Sequence, residues 1–376
     1  MSKWIVVAVA LLLGSTVCAI VWTSPAPTQP LIEPYRPAEK KNPVTYTIRA
    51  LYVFTPVPGT KVAHLWLVRP PNDAGQEVLF YQTHPRPERE VVDADFGNRL
   101  LYFRFPDPNG AITVECRMRV RVWDLFWNLD PQRVVQEVGK VSPLWTRSER
   151  YIIASDQRVQ SLARQMVSDS PDFASSVFAI LKGVIEEMDY SHENCSLVAS
   201  ALHALENREG HCSDYHGLGI ALLRSLKIPS RLTYGYKVLN RQSPSHCMLE
   251  VYLPPYGWVP FDLSETDKLL TKLEDLPLTE REKQTIRRRI LNRFLSGWRP
   301  NVWFRSTIGS DIPIQPAIVP NPPVIRTAYL AYDNRVVPDP DPANRNASAL
   351  TWQLVWDVQA DRIVKNPWDL SYWLKE

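Results

Sequence analysis

Cysteine is sparse: five residues in 376, at Cys18, Cys116, Cys195, Cys212 and Cys247. None forms a C-x-x-C pair and none is spaced as zinc ligands are, so no metal centre or other cofactor is expected. A charge excess is missing too, since 43 basic and 40 acidic residues leave a net charge of +3. Nucleic-acid binders concentrate a strong basic excess on one face, so no nucleic-acid partner is expected. Glycine is low at 14 residues, and no internal repeat is visible.

Hydrophobic residues and proline are what the chain does have. A 45% hydrophobic composition over this length supports a large core and about two domains. The 33 prolines concentrate in 25–43 and 300–342, which read as linker or extended coil. Lys3 precedes an uncharged apolar run from Trp4 to Trp22. That run suits either a cleaved signal, with Val17-Cys18-Ala19 near the cut, or a membrane anchor. With Lys3 inside, both readings put the rest of the chain outside the cytoplasm, possible tether included. Ser15-Thr16-Val17 is a poor lipobox for Cys18. An oxidising compartment allows a disulfide, with Cys195–Cys247 the first pairing to examine, but separate buried thiols is the favoured reading.

Along the chain, 23–44 forms a Pro-rich linker. From Thr45 the period is two: Ile112, Val114, Cys116, Met118, Val120 and Val122 alternate with polar residues. Similar strands at Thr45–Phe54, His64–Val68, Val78–Tyr81 and Leu100–Phe105 suggest a β-sandwich over 45–150. Helical stripes follow, at Val159–Val167 and Phe173–Ile185, then a third helix around Ser196–Glu206 and a fourth opening near Cys212. Strands are expected at Ser230–Val238, His246–Leu253 and Gly257–Leu263, closing a core at 151–270. Thr279 with Glu282 forms a capping box for a helix to about Leu295. Trp352, Leu354, Trp356 and Val358 then alternate, so the 271–376 extension is partly β.

The chemistry concentrates after Gly210. Cys212 opens a buried helix, where unpaired backbone N–H groups and the helix dipole lower a thiol pKa. Its own N–H is a candidate oxyanion donor. A thiolate nucleophile needs a proton carrier for the leaving amine, and His246 begins a strand two elements later. On that strand His246, Met248, Glu250 and Tyr252 share the more polar face, while Cys247, Leu249, Val251 and Leu253 share the apolar one. Asp262 ends the neighbouring strand, within reach of the imidazole.

These blocks resemble the transglutaminase-like superfamily. Gly210, Cys212 and Asp214 match its Gly-x-Cys-x-Asp; His246, Glu250 and Val251 match its His strand; Gly257, Trp258, Phe261 and Asp262 match its last block. Leu226-Lys227-Ile228-Pro229 carries Lys in place of the family's Gly, and Arg231 and Tyr234-Gly235-Tyr236 also fit. Cys247 and Met248 stand where the family usually has Ala-Trp, removing an aromatic from the cleft. Asp214 is assigned a capping or supporting role, and Glu250 a structural one. Asp95-Phe96-Gly97-Asn98 and Gly309-Ser310-Asp311-Ile312 resemble flanking segments of bacterial members.

The resemblance implies an α+β fold, with an N-terminal β-sandwich, a papain-like core and a partly β extension. It implies Cys212 as nucleophile, His246 as base and Asp262 as its orienter. The expected activity is acyl transfer from a peptide or glutamine-type amide of a protein substrate through a thioester, with hydrolysis ahead of amine cross-linking. A non-catalytic peptide-binding or envelope scaffold on the same core is the alternative.

Overall fold

The computed structural model describes residues 35–136, 141–240, 244–339 and 352–374. The apolar run at 4–22, with its signal or anchor reading, lies outside the described residues, as does Cys18. Among the described residues, no helix is long and apolar enough to cross a membrane.

The α+β architecture is as expected, built among the described residues on three antiparallel sheets and a short parallel pair, Asp189–Tyr190 with Glu209–Gly210. In the first, Glu39–Phe54 pairs with Ile112–Phe126 on one side and Gln353–Ala360 on the other; Gln76–His84 and Trp298–Arg299 also join Ile112–Phe126. The second runs in the order Arg335–Val337, Ala328–Tyr332, Val62–Arg69, Arg99–Pro106, Arg89–Val92. Tyr46, Ile48, Ala50, Val114, Met118 and Val120 of the first share a core with Ala63, Leu65, Leu67, Leu101 and Phe103 of the second. The opposite face of the second sheet, with Trp66, Leu100 and Tyr102, packs on Trp145, Trp258 and Ile308. Burial of both faces explains why Val62–Arg69 is apolar almost throughout, unlike the alternating Ile112–Phe126.

Two expectations change here. The linker drawn to residue 44 ends sooner, because Glu39–Phe54 is one strand. Tyr35 is already docked, its hydroxyl donating to Glu250 Oε1 at 2.5 Å. The sandwich is also not confined to 45–150, since strands from the extension complete both of its sheets. Alternation at 352–358 shows that a strand exists, but the choice of partner is long-range and leaves no local trace.

The third sheet belongs to the site. Trp258–Phe261, Ser245–Tyr252, Ser230–Lys237 and Trp303–Ile308 lie in that order, all antiparallel. Against it lie Cys212–Ser225 and, around that helix, Gln157–Met166, Phe173–Glu187 and Ala201–Asn207. The third helix starts at Ala201, not Ser196, because Leu197 (φ 60°) and Ala199 (φ 61°) are left-handed. Gly217 permits the close packing: a Cβ there would come 2.4 Å from the Ala199 carbonyl oxygen. The two flanking segments singled out in the sequence meet each other. The Asn98 side chain bonds both backbone groups of Ile308, at 2.9 and 2.8 Å, and Gly309 (φ +88°) lies against the Phe96 ring.

Candidate active site

His211 caps the helix Cys212–Ser225, its Nδ1 accepting from the Ser213 N–H at 3.3 Å. Asp214 Oδ2 reciprocates from the His211 N–H at 3.2 Å and also takes the Ser196 N–H at 3.1 Å, while its Oδ1 takes the Ser196 hydroxyl. Asp214 is therefore a helix cap that also fixes the loop at 196. Cys195, His211 and Asp214 bring a thiol, an imidazole and a carboxylate within 4.8 Å of one another. With both oxygens of Asp214 committed to amides and a hydroxyl, that cluster serves the cap.

Cys212 occupies the first position of this helix, at 8% exposure, so its backbone N–H has no intrahelical acceptor. Its thiol is held well below the ordinary range. The Cys247 hydrogen bond is the largest cause, opposed by burial and joined by the His211 and His246 charges. His246 Nε2 meets Asp262 Oδ2 at 2.8 Å, leaving Nδ1 for the Cys212 sulfur, to which His246 also bonds. Burial alone would depress this imidazole, but Asp262 and then Cys212 raise it to about 9. A lowered thiol beside a raised imidazole favours a thiolate–imidazolium pair.

Asp262 follows the strand Trp258–Phe261 and caps the helix Leu263–Glu274, its Oδ1 accepting from the Glu265 N–H at 3.2 Å. The strand register pairs Leu249 with Phe261, so continuing it puts Asp262 beside Met248, one step diagonal from His246. The predicted proximity holds through that diagonal. The face of His246 differs from expectation: it is fully buried, because Trp303 and Trp368 cover it. Trp303 Nε1 donates to the His246 carbonyl at 3.2 Å, and the Trp368 ring stands edge-on to the imidazole at 5.4 Å and 68°. Trp368 thus brings an aromatic ring to a site whose own motif, with Met248, lacks one.

Two neighbours escaped sequence reasoning. His216 is one helical turn after Cys212, and that i, i+4 spacing was the available signal. Its Nε2 accepts from the Leu263 N–H at 3.0 Å and its Nδ1 faces Cys247 Sγ at 3.3 Å. Glu265 lies buried between Lys237 (2.9 Å) and Lys268 (2.8 Å), which hold it at about 2 against burial. Glu250 is structural as expected, pairing the buried Arg231 at 2.7 Å, whose guanidinium lies 4.0 Å over the Trp258 ring. Among the described residues Cys116, Cys195, Cys212 and Cys247 form no disulfide, so Cys195–Cys247 is not one. A cavity of about 480 Å³, lined by Cys195, Leu197, Arg326, Tyr329 and Trp352 among others, adjoins the loop that Asp214 fixes.

A thiol at a helix start, an imidazole across it and a carboxylate behind make an arrangement of the cysteine-enzyme type. Residues 160–263 match the transglutaminase-like superfamily, and the match takes in Cys212, His246 and Asp262. An uncharacterized protein of Bacillus subtilis, YebA, is 28% identical over 161 residues, covering 36% of this chain and 21% of YebA. An uncharacterized protein of Haemophilus influenzae is 23% identical over 134 residues, 30% of this chain and 35% of that one. The match thus spans about a fifth and about a third of these relatives. A crystal structure from Cytophaga hutchinsonii, whose name proposes a cysteine protease, shares the fold. It superposes at TM-score 0.57 with 16% identity, covering 88% of this chain and 94% of its own.

Proposed function

We propose that this protein is an extracytoplasmic cysteine-dependent acyl-transfer enzyme acting on peptide or glutamine-type amides of protein substrates. The observation that carries it is the Cys212–His246–Asp262 arrangement, with the lowered thiol on one side of the imidazole and the carboxylate at 2.8 Å on the other. The Cys212 thiolate attacks the carbonyl carbon, and the oxyanion is met by the free Cys212 N–H. The C–N bond then breaks as His246 gives its proton to the departing amine or ammonia, leaving a thioester. Neutral His246 next takes a proton from the acceptor, the C–S bond breaks, and the thiolate–imidazolium pair returns. Asp262 keeps Nδ1 aimed at the sulfur throughout.

Water as acceptor gives hydrolysis, a lysine amine gives cross-linking. Hydrolysis is favoured by the name of the Cytophaga neighbour and by the bacterial character of the resemblance. The uncharged run after Lys3 supports a place outside the cytoplasm, by signal or tether. Casein incubated with a labelled amine and read by intact mass separates the outcomes. Cleavage or a gain of about one mass unit per deamidated glutamine supports hydrolysis. Incorporated amine supports cross-linking. No product from wild type that is also missing in Cys212→Ala would favour the peptide-binding scaffold.

A further inference from the structure

Cys247, which stands where the family pattern has Ala, is not a passive core thiol. It is fully buried, and its sulfur lies 3.3 Å from His216 Nδ1. The proton positions follow from the hydrogen bonds. The Leu263 N–H can only donate, so His216 Nε2 must accept, at 3.0 Å. A neutral imidazole then carries its proton on Nδ1, which donates to the Cys247 sulfur. The one proton of Cys247 is thereby turned away from His216; the side chains left to it are Cys212 and Tyr234, and of these the Cys212 thiolate, being charged, is the stronger acceptor.

We propose that Cys247 is a positioning residue for the nucleophile: an S–H donor to the Cys212 sulfur, oriented by the relay from the Leu263 amide through His216. The proposal rests on the cysteine-enzyme reading above. Burial keeps His216 neutral, its midpoint pushed down to about 4, and keeps the Cys247 thiol protonated. The donor direction is therefore fixed across the working range. The other groups around Cys212 are His211 at the cap, His246 and Tyr234 on the sheet, His216 on its own helix, and Asp262 and Lys268 beyond, with Arg326 facing His211 and Tyr234. Among them Cys247 is a neutral donor whose effect does not depend on its own charge. The sulfur it supplies is thus part of the reactive centre.

The test is the pH profile of Cys212 alkylation by iodoacetamide, read by mass spectrometry of the Cys212 peptide. Cys247→Ala should raise the midpoint by about one pH unit, a tenfold change, as expected for one hydrogen bond to a charged group. Cys247→Ser keeps a donor and should restore most of the shift. His216→Ala should move the midpoint in the same direction by freeing the Cys247 proton. A Cys247→Ala profile superposing on wild type, in a protein with an intact melt, overturns the proposal alone. A Cys212 that labels only in denaturant overturns the proposal together with the enzyme reading. If Cys247→Ala fails to fold, an unshifted His216→Ala profile overturns it equally.

Discussion

Asp262 performs two jobs with one carboxylate, and Asp262→Asn separates them. Oδ1 caps the helix Leu263–Glu274 and Oδ2 holds His246. Asparagine is as good an N-cap as aspartate, so the melt should shift little, whereas Asp262→Ala should lose about 1 kcal/mol with the cap. The charge is the difference. His246 lies at about 9 against an ordinary 6.5, a span worth roughly 3 kcal/mol between its protonation states. Cys212 shares that effect, so it is an upper bound for Asp262. Without the carboxylate charge, burial dominates, and the His246 midpoint should fall below 6.5. The thiolate then loses its imidazolium partner at neutral pH, and kcat/KM should drop about 100-fold. The sign is fixed by the pair: wild-type activity rises as Cys212 ionises, holds while His246 is protonated, and declines as pH passes about 9. NMR titration of the His246 ring, with casein turnover against pH, measures both effects. A variant whose His246 still titrates near 9, or whose alkaline decline is unmoved, would refute the assignment of Asp262.

Gly217→Ala should destabilise by about 1–3 kcal/mol and lower activity, because the added Cβ meets the Ala199 carbonyl, a backbone atom that cannot step aside. Gly219→Ala meets only side chains, Leu249 at 3.0 Å and Leu263 at 3.4 Å, so its melt should change far less; equal losses in thermal unfolding would contradict this. Arg231→Met should cost about 3–5 kcal/mol in urea unfolding, since it leaves the Glu250 carboxylate buried without its cation. The double change with Glu250→Met should recover part of that loss.

The arrangement of the candidate site was legible because its residues fall in order on local elements. Cys212 at a helix start, His246 opening a strand and Asp262 ending the next are positions that motif and period can fix. The capping box at Thr279 and Glu282 was legible for the same reason, and it starts the helix Glu280–Leu295. What sequence missed depends on distant segments. Trp368 covers His246 from 122 positions along the chain, and nothing near either residue announces the contact. The helix Leu263–Glu274 was missed because Asp262 was read as a strand end alone, when its carboxylate also caps. Cys247 was placed on an apolar face, which its burial bears out, but the sulfurs across that face became visible only once the helix was packed on the sheet.

The central claim is that Cys212 is a reactive thiolate. Iodoacetamide at limiting dose, followed by peptide mapping of the native protein, tests it most directly, because Cys195 is the more accessible thiol and Cys212 the better activated one. Cys212 should label first, with a midpoint below the free-thiol value of about 8.5 and upward displacement in His246→Ala. Labelling of Cys195 ahead of it, with Cys212 modified only in denaturant, would mean a buried core thiol and would contradict the account.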